Sequence, residues 1–149
     1  MKLAEALSLR ADLQKRNAQL TVRLKNNSKY QEGDSPTEDP GKLYAEFNQN
    51  LTQLEDLIFR INKTNIHPIK EGDSLTRLLA KKDVLALRLV TLREVWKYAS
   101  VNEYRLGRSE LYIRNIDIAG LQKDIDTYSR ELRLLEMQIQ RLNWEIDLE

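Results

Sequence analysis

The chain has 149 residues, with 24 Lys and Arg against 23 Asp and Glu, and its net charge is +1. It has no cysteine and one histidine, which excludes disulfides, thiolate metal sites, thiol nucleophiles and histidine-rich metal centres. The balanced charge disfavours a dedicated nucleic-acid binder. Few glycines (5) and prolines (3) together with 32% charged residues are typical of long, solvent-exposed helices.

Breaks rich in Gly, Pro and polar residues divide the chain into four predicted helices, at 2–25, 40–63, 75–101 and 117–147. The longest break is the polar, acidic loop 26–39. Asp39 can cap the second helix while Pro40 takes its first position, where a missing N–H costs nothing. Ser74 and Asp117 are the expected N-caps of the third and fourth helices.

Apolar residues recur along each helix at helical spacing. On helix one they are Leu3, Ala6, Leu13, Leu20 and Leu24, with Arg10 and Asn17 intruding. On helix two they are Tyr44, Phe47, Leu51, Leu54, Ile58 and Ile61. On helix four, steps of 3 and 4 continue over Ile118, Leu121, Ile125, Tyr128, Leu132, Leu135, Ile139, Leu142 and Ile146. This spacing is typical of helices packed as in a coiled coil.

The pattern therefore predicts an all-α fold, an antiparallel four-helix bundle of long, coiled-coil-like helices in a single domain covering 1–149. Two connectors, near 64–71 and 109–116, have strand-like character, because Pro68 disfavours helix at His67 and the second is rich in strand formers. Whether these connectors pair within one chain or between chains stays open.

Charge is unevenly distributed along the chain. Residues 1–26 and 75–101 each carry a net +4, and residues 117–149 carry −4. One interpretation is that the charges flanking the helices select which helices pair. The other is that a stripe on helix one binds phosphates. The stripe would consist of Arg10, Lys15, Arg16, Arg23 and Lys25.

More apolar residues are present than one slender bundle can bury. Helix three has a second line that includes Leu79 and Val90, and helix four adds Leu134, Met137 and Trp144 outside its main seam. These five residues are the candidate interface of a predicted homo-oligomer, since association would bury them.

No pattern indicates catalysis, a cofactor or a metal site. His67 lies beside Pro68 in a connector and is expected to be a solvated loop histidine. Phosphate-binding loops and nucleophile elbows are missing from the sequence. Asp117, Asp124 and Glu131 are seven residues apart, which is typical of one solvated helix face and less so of a cation site. Without an export signal or an 18-residue apolar run, we expect a cytoplasmic protein that is not an enzyme and has no membrane partner.

Several segments resemble a family of small bacterial helical proteins that is largely uncharacterised and sometimes labelled septicolysin-like. The similarity covers most of the chain and is most specific at Met1–Arg16, at Asp39-Pro40 and at Leu142-Asn143-Trp144. The label implies a pore-forming lysin, but thiol-activated lysins depend on a cysteine-containing loop that this sequence lacks. The resemblance implies an all-helical, oligomeric cytoplasmic protein of unknown role.

The most direct interpretation is a non-catalytic structural or interaction protein that self-associates through apolar helix seams. The alternative is a nucleic-acid-binding module that uses the basic faces of helices one and three, with nucleic acid the less expected partner.

Overall fold

The structure is a computed structural model that describes residues 1–70, 72–101 and 113–149. It is 77% helical and has no β-sheet among the described residues. The four helices are α1 (Leu3–Asn27), α2 (Pro40–Ile66), α3 (Leu75–Ser100) and α4 (Ile118–Glu145). The all-α prediction is confirmed, and each predicted helix is present with ends that differ by at most three residues.

Local capping explains where two helices begin. The Asp39 carboxylate accepts a hydrogen bond from the Gly41 N–H at 2.8 Å, and Pro40 occupies the first helical position, as predicted. The Ser74 hydroxyl accepts a hydrogen bond from the Arg77 N–H at 3.3 Å at the start of α3. These caps satisfy amides that have no partner inside the helix.

The helices belong to two compact units. Unit 1 comprises Met1–His67 and Arg141–Glu149, so it contains α1, α2 and the last turn of α4. Unit 2 comprises Pro68–Gln140, and contains α3 and most of α4. The expectation that 1–149 is one domain stays a prediction.

In unit 1 α1 and α2 are antiparallel. At one end the Glu38 N–H donates to the Asn27 amide oxygen at 2.9 Å, beside an ion pair between Arg23 and Glu38. At the other end the segment after α4 joins the two helices. The Leu3 N–H donates to the Ile146 carbonyl at 2.9 Å, and the Glu149 N–H donates to the Thr64 hydroxyl at 3.0 Å.

The ends of α1 and α4 differ slightly from prediction because of a nonlocal contact. The Leu148 N–H donates to the Met1 carbonyl at 2.9 Å, and Lys2 and Asp147 form an isolated antiparallel bridge. These extended residues cannot be helical at the same time. The predicted start at residue 2 and end at residue 147 were therefore wrong by one and two positions.

In unit 2 the antiparallel helices α3 and α4 share an apolar core. Leu89 packs with Leu121 and Ile125, and four half-buried side chains surround this cluster, namely Leu92, Trp96, Tyr128 and Leu132. The Arg93 guanidinium donates to the Ser129 hydroxyl at 3.1 Å across the same pair of helices.

The connectors form no sheet in the described part of the chain. The predicted strand-like segment 64–71 was wrong at its start, because α2 continues to Ile66. Beyond it Pro68 and Ser74 form an isolated bridge closed by Gly72, whose φ of 88° favours glycine. Of the second connector, residues 109–112 lie outside the described residues. Arg114 donates to the carbonyls of Ala99 and Ser100 at 2.7 and 3.0 Å, at the end of α3.

Candidate interaction surfaces

The line along which α1 and α2 meet differs from the predicted one on α2. On α1 the buried and half-buried contact residues are Leu3, Ala6, Arg10, Leu13, Asn17, Leu20, Leu24 and Asn27. On α2 they are Leu43, Phe47, Asn50, Leu54, Leu57, Ile61 and Thr64. Both contact lines step by 3 and 4 residues. The predicted seam members Tyr44, Leu51 and Ile58 are instead 59%, 41% and 37% exposed.

The reason for this error is that polar residues occupy part of the α2 contact line. Thr64 is buried, and its hydroxyl is satisfied there because it donates to the Arg60 carbonyl at 2.9 Å and accepts from the Glu149 N–H. Asn50 occupies another contact position. At Asn50 a search for apolar residues selects the following Leu51 instead. Tyr44 and Ile58, seven residues to either side of Leu51, then continue the same line in place of the buried Leu43 and Leu57.

A polar layer crosses the middle of this contact. Asn17 is buried, and neither its amide nitrogen nor its amide oxygen has a hydrogen-bond partner. The buried amide nitrogen of Asn50 also lacks a partner. Asn17 and Asn50 are each 14 residues from Leu3 and Thr64, which lie at the same end of the pair. Equal rise per residue therefore places the two amides at the same level.

The two flanks of the α1–α2 pair have opposite character. In an antiparallel pair, residues that follow the contact line by one position lie on one side for both helices, and those that precede it lie on the other. We call the first side of unit 1 its apolar side. It comprises Leu7, Ala11, Gln14, Ala18, Thr21, Lys25, Tyr44, Asn48, Leu51, Glu55, Ile58 and Asn62. The opposite, charged side includes Glu5, Asp12, Arg16, Arg23, Lys42, Glu46, Asp56, Arg60 and Lys63.

In unit 2 the contact line also steps by 3 and 4 residues. It comprises Leu75, Leu78, Lys82, Leu85, Leu89, Leu92 and Trp96 of α3 with Ile118, Leu121, Ile125, Tyr128, Leu132, Leu135 and Ile139 of α4. The same geometry as in unit 1 gives this line two sides, and on one of them the sign of the charges differs between the helices. The residues that precede the contact line on α3 include three cations, whereas those that precede it on α4 include three carboxylates. We call this side the charge-sorted side. It comprises Arg77, Lys81, Val84, Arg88, Thr91, Val95 and Tyr98 of α3 with Asp117, Gly120, Asp124, Thr127, Glu131, Leu134 and Gln138 of α4 and its N-terminal flank.

An open groove of about 430 Å³ runs along the charge-sorted side. Its lining residues are Arg77, Ala80, Lys81, Val84, Leu85, Arg88 and Glu131. The Arg88 guanidinium lies 4.6 Å from the centroid of the Tyr128 ring, which holds it towards α4. None of Arg77, Lys81 and Arg88 forms an ion pair with a described residue.

The five predicted interface residues do not form one patch. Leu79 and Val90 are on the side of α3 opposite the charge-sorted side, and Leu134 belongs to the charge-sorted side. Met137 is on the outer face of α4, and Trp144 belongs to unit 1. Leu79 is half-buried, whereas the other four are 52–63% exposed. Their role as an interface stays a prediction.

The predicted basic stripe on helix one is dispersed around α1. Arg10 is half-buried on the contact line, Arg16 and Arg23 are on the charged side, and Lys25 is on the apolar side. Lys15 faces outwards. Arg23 is also engaged with Glu38, and this ion pair lowers the pKa of the Glu38 carboxyl below its ordinary value.

His67 is exposed, as expected of a loop histidine, but it has a partner that the sequence did not indicate. Its Nε2 atom lies 3.0 Å from the Glu149 carboxylate, and the Lys63 ammonium lies 3.2 Å from the same oxygen. Within the described residues, no group of three or more His, Asp and Glu side chains could hold a metal ion. No helix in that part of the chain is long and apolar enough to cross a bilayer.

The fold and these surfaces define an all-α protein built from two antiparallel helix pairs. The chain belongs to a family of unknown function (DUF6847), whose model matches residues 10–148. It is also similar to a crystal structure described as a functionally unknown conserved protein from Corynebacterium diphtheriae. That protein is 34% identical, with a TM-score of 0.89 over 100% of this chain and 99% of the other. No functionally curated protein matches the chain.

These comparisons establish an uncharacterised family. They do not support the septicolysin-like label, and the matched descriptions name no activity, ligand or partner.

Proposed function

We propose that this protein is a non-catalytic helical interaction protein that self-associates. The observation that carries the proposal is the apolar side of unit 1. There Tyr44, Leu51 and Ile58 form an exposed line on α2, at seven-residue steps of about 10.5 Å. A line of exposed apolar side chains along a helix is a candidate interaction site.

The shape of this side favours a second copy of the chain as the partner. Facing the large residues of α2, α1 presents smaller ones at Ala11, Gln14 and Ala18. A two-fold axis parallel to the helices sets the α2 line of one copy against the α1 line of the other. Large side chains then meet small ones in both halves of a self-complementary contact.

Charge on this side does not oppose such a contact. Among the described residues of α1 and α2, the apolar side carries Lys25 and Glu55, whereas the opposite side carries most of the charges of the pair. We also propose that the protein is located in the cytoplasm. Fractionation of native host cells would test this location.

Sedimentation equilibrium tests self-association. We expect the wild-type protein to have a mass that is a multiple of 17.5 kDa, and Leu51→Lys to lower it. Gln53→Lys, an equal charge change on the opposite side, should leave the mass at the wild-type value. A wild-type mass of one chain at all concentrations would exclude the proposal.

Nucleic-acid binding is the second candidate, and the observation that favours it is the line of cations on α3. Arg77, Lys81 and Arg88 line the open groove on the charge-sorted side. The α4 carboxylates on the same side would repel phosphates, which makes this candidate the weaker one. Titration of a labelled oligonucleotide at two salt concentrations decides it, since each phosphate contact contributes a slope of about −0.9 in log K against log salt for duplex DNA.

A further inference from the structure

The charge-sorted side of unit 2 carries cations on one helix and carboxylates on the other. Lys81 and Arg88 of α3 and Asp124 and Glu131 of α4 are all exposed. Because α3 carries only positive charges on this side and α4 only negative ones, a second copy rotated by 180° presents the complementary charges to each helix.

The core contacts determine which charges lie level with one another. Leu89 forms one buried cluster with Leu121 and Ile125, so Arg88, one residue before Leu89, lies near the level of Asp124. Moving seven residues towards the start of α3 and seven towards the end of α4 leads to Lys81 and Glu131. Since the helices are antiparallel, these two residues are level as well.

We propose that the charge-sorted side is a contact between two copies of this chain, with the α3 cations of one copy against the α4 carboxylates of the other. A two-fold axis parallel to the helices lays α3 on the partner's α4 without changing its level. Lys81 then faces Glu131 of the second copy, and Arg88 faces its Asp124. The four charges at each level alternate in sign.

Apolar residues between the charges supply surface for this contact to bury. Val84 is 59% exposed and Leu134 is 52% exposed, and both lie on this side. A contact with charged pairs around apolar side chains is typical of specific interfaces, where the charges select partner and register.

A partner of a single charge fits this side less well than a second copy does. An acidic helix or a nucleic acid would meet the cations of α3 and also the carboxylates of α4. A basic partner would be attracted by the carboxylates of α4 and repelled by the cations of α3. The two-fold copy satisfies both helices at once, which is why it is the occupant we assign.

The inference rests on the proposed self-association but uses a different surface, and a charge-reversal experiment tests it. One variant carries Lys81→Glu with Arg88→Glu, and a second carries Asp124→Lys with Glu131→Lys. Each variant alone places like charges in contact, so its mass in sedimentation equilibrium should be lower than the wild-type mass. An equimolar mixture pairs opposite charges again and should recover the wild-type mass.

The mixture separates an interface from a purely internal role of these charges. If they act only within one chain, both variants lose them and mixing changes nothing. That outcome, or a wild-type mass for each variant alone, would overturn the inference. Lys97→Glu with Arg133→Glu, on the opposite side, is the matched control and should keep the wild-type mass.

Failure of the two proposals can be told apart. A wild-type protein that is a single chain at all concentrations excludes both. An oligomer that depends on Leu51 and not on the reversed charges excludes the charge-sorted contact and leaves the proposed function in place.

Discussion

In unit 1 the helices meet along a line that includes Asn17, Asn50 and Thr64, while apolar residues remain exposed on one flank. In unit 2 the contact line is apolar apart from half-buried Lys82, and charges line its flank. On α4 the apolar pattern identifies the contact face, because polar and charged residues occupy most of the flanking positions. Where an apolar flank lies beside a partly polar contact line, the pattern is displaced by one residue.

The largest effect is expected from a charge in the core of unit 2, compared with a charge at the falsely predicted seam of unit 1. Leu89 is 1% exposed, so Leu89→Asp buries an unpaired carboxylate and should lower the free energy of unfolding by about 3–5 kcal/mol. Leu51→Asp, at a position exposed within the chain, should change it by less than about 1 kcal/mol when both proteins are measured as single chains at high dilution. Urea denaturation followed by circular dichroism measures both. Equal losses would show that Leu51 belongs to the contact line.

A stabilising substitution is expected in the polar layer of unit 1. Asn17→Leu removes a buried amide with no hydrogen-bond partner, which should raise the free energy of unfolding by about 1–3 kcal/mol. Gln19→Leu, on the exposed surface of the same helix, is the control and should have an effect within about 0.5 kcal/mol. A destabilised Asn17→Leu protein would mean that the amide is satisfied in solution.

The contact between the ends of α1 and α4 should depend on pH. The hydrogen bond from the Lys2 ammonium, with its charge, lowers the pKa of Asp147 below the ordinary 3.8. A lowered pKa in the folded state stabilises the fold above the ordinary value, and the stabilisation is lost as pH falls through the lowered one. Asp147→Asn should therefore melt below the wild type at neutral pH, and the difference should close in strong acid. Melting curves from pH 7 to pH 2 provide the measurement, and a gap that stays constant would contradict it.

The smallest effect is expected at His67. Although its ring contacts the Glu149 carboxylate, both side chains are partly exposed, and such pairs contribute little. His67→Ala should change the free energy of unfolding by no more than about 0.5 kcal/mol. A loss well above that, measured by the same denaturation, would identify the contact as a main support of this end of unit 1.

Features encoded by neighbouring residues were predictable from the sequence. The Asp39-Pro40 start of α2 and the Ser74 cap of α3 depend on a few positions each, and the helices follow from apolar spacing over many turns. The α4 seam was correct because charged residues flank it.

Features that depend on distant residues were not predictable in the same way. The α2 contact line could be predicted only with the position of α1, because Asn50 lies in it at the level of Asn17. The sequence of α2 alone does not indicate that a polar residue occupies this position. The bridge of Lys2 with Asp147 has no local signal at all. The carboxylates at Asp117, Asp124 and Glu131 were recognised as one helix face. The cations that share their side could be placed there only once the register of α3 and α4 was known.

The bridge that closes unit 1 also has a kinetic consequence. The Lys2 ammonium donates to the Glu145 carbonyl, 143 positions along the chain, and closing a loop of that length costs roughly 4 kcal/mol of chain entropy. Unit 2 is continuous and lies within this loop, so its earlier folding would shorten the effective loop. During synthesis α1 and α2 emerge before unit 2, whereas their closing segment emerges after it. The closing contacts of unit 1 therefore cannot form until all residues of unit 2 have been synthesised.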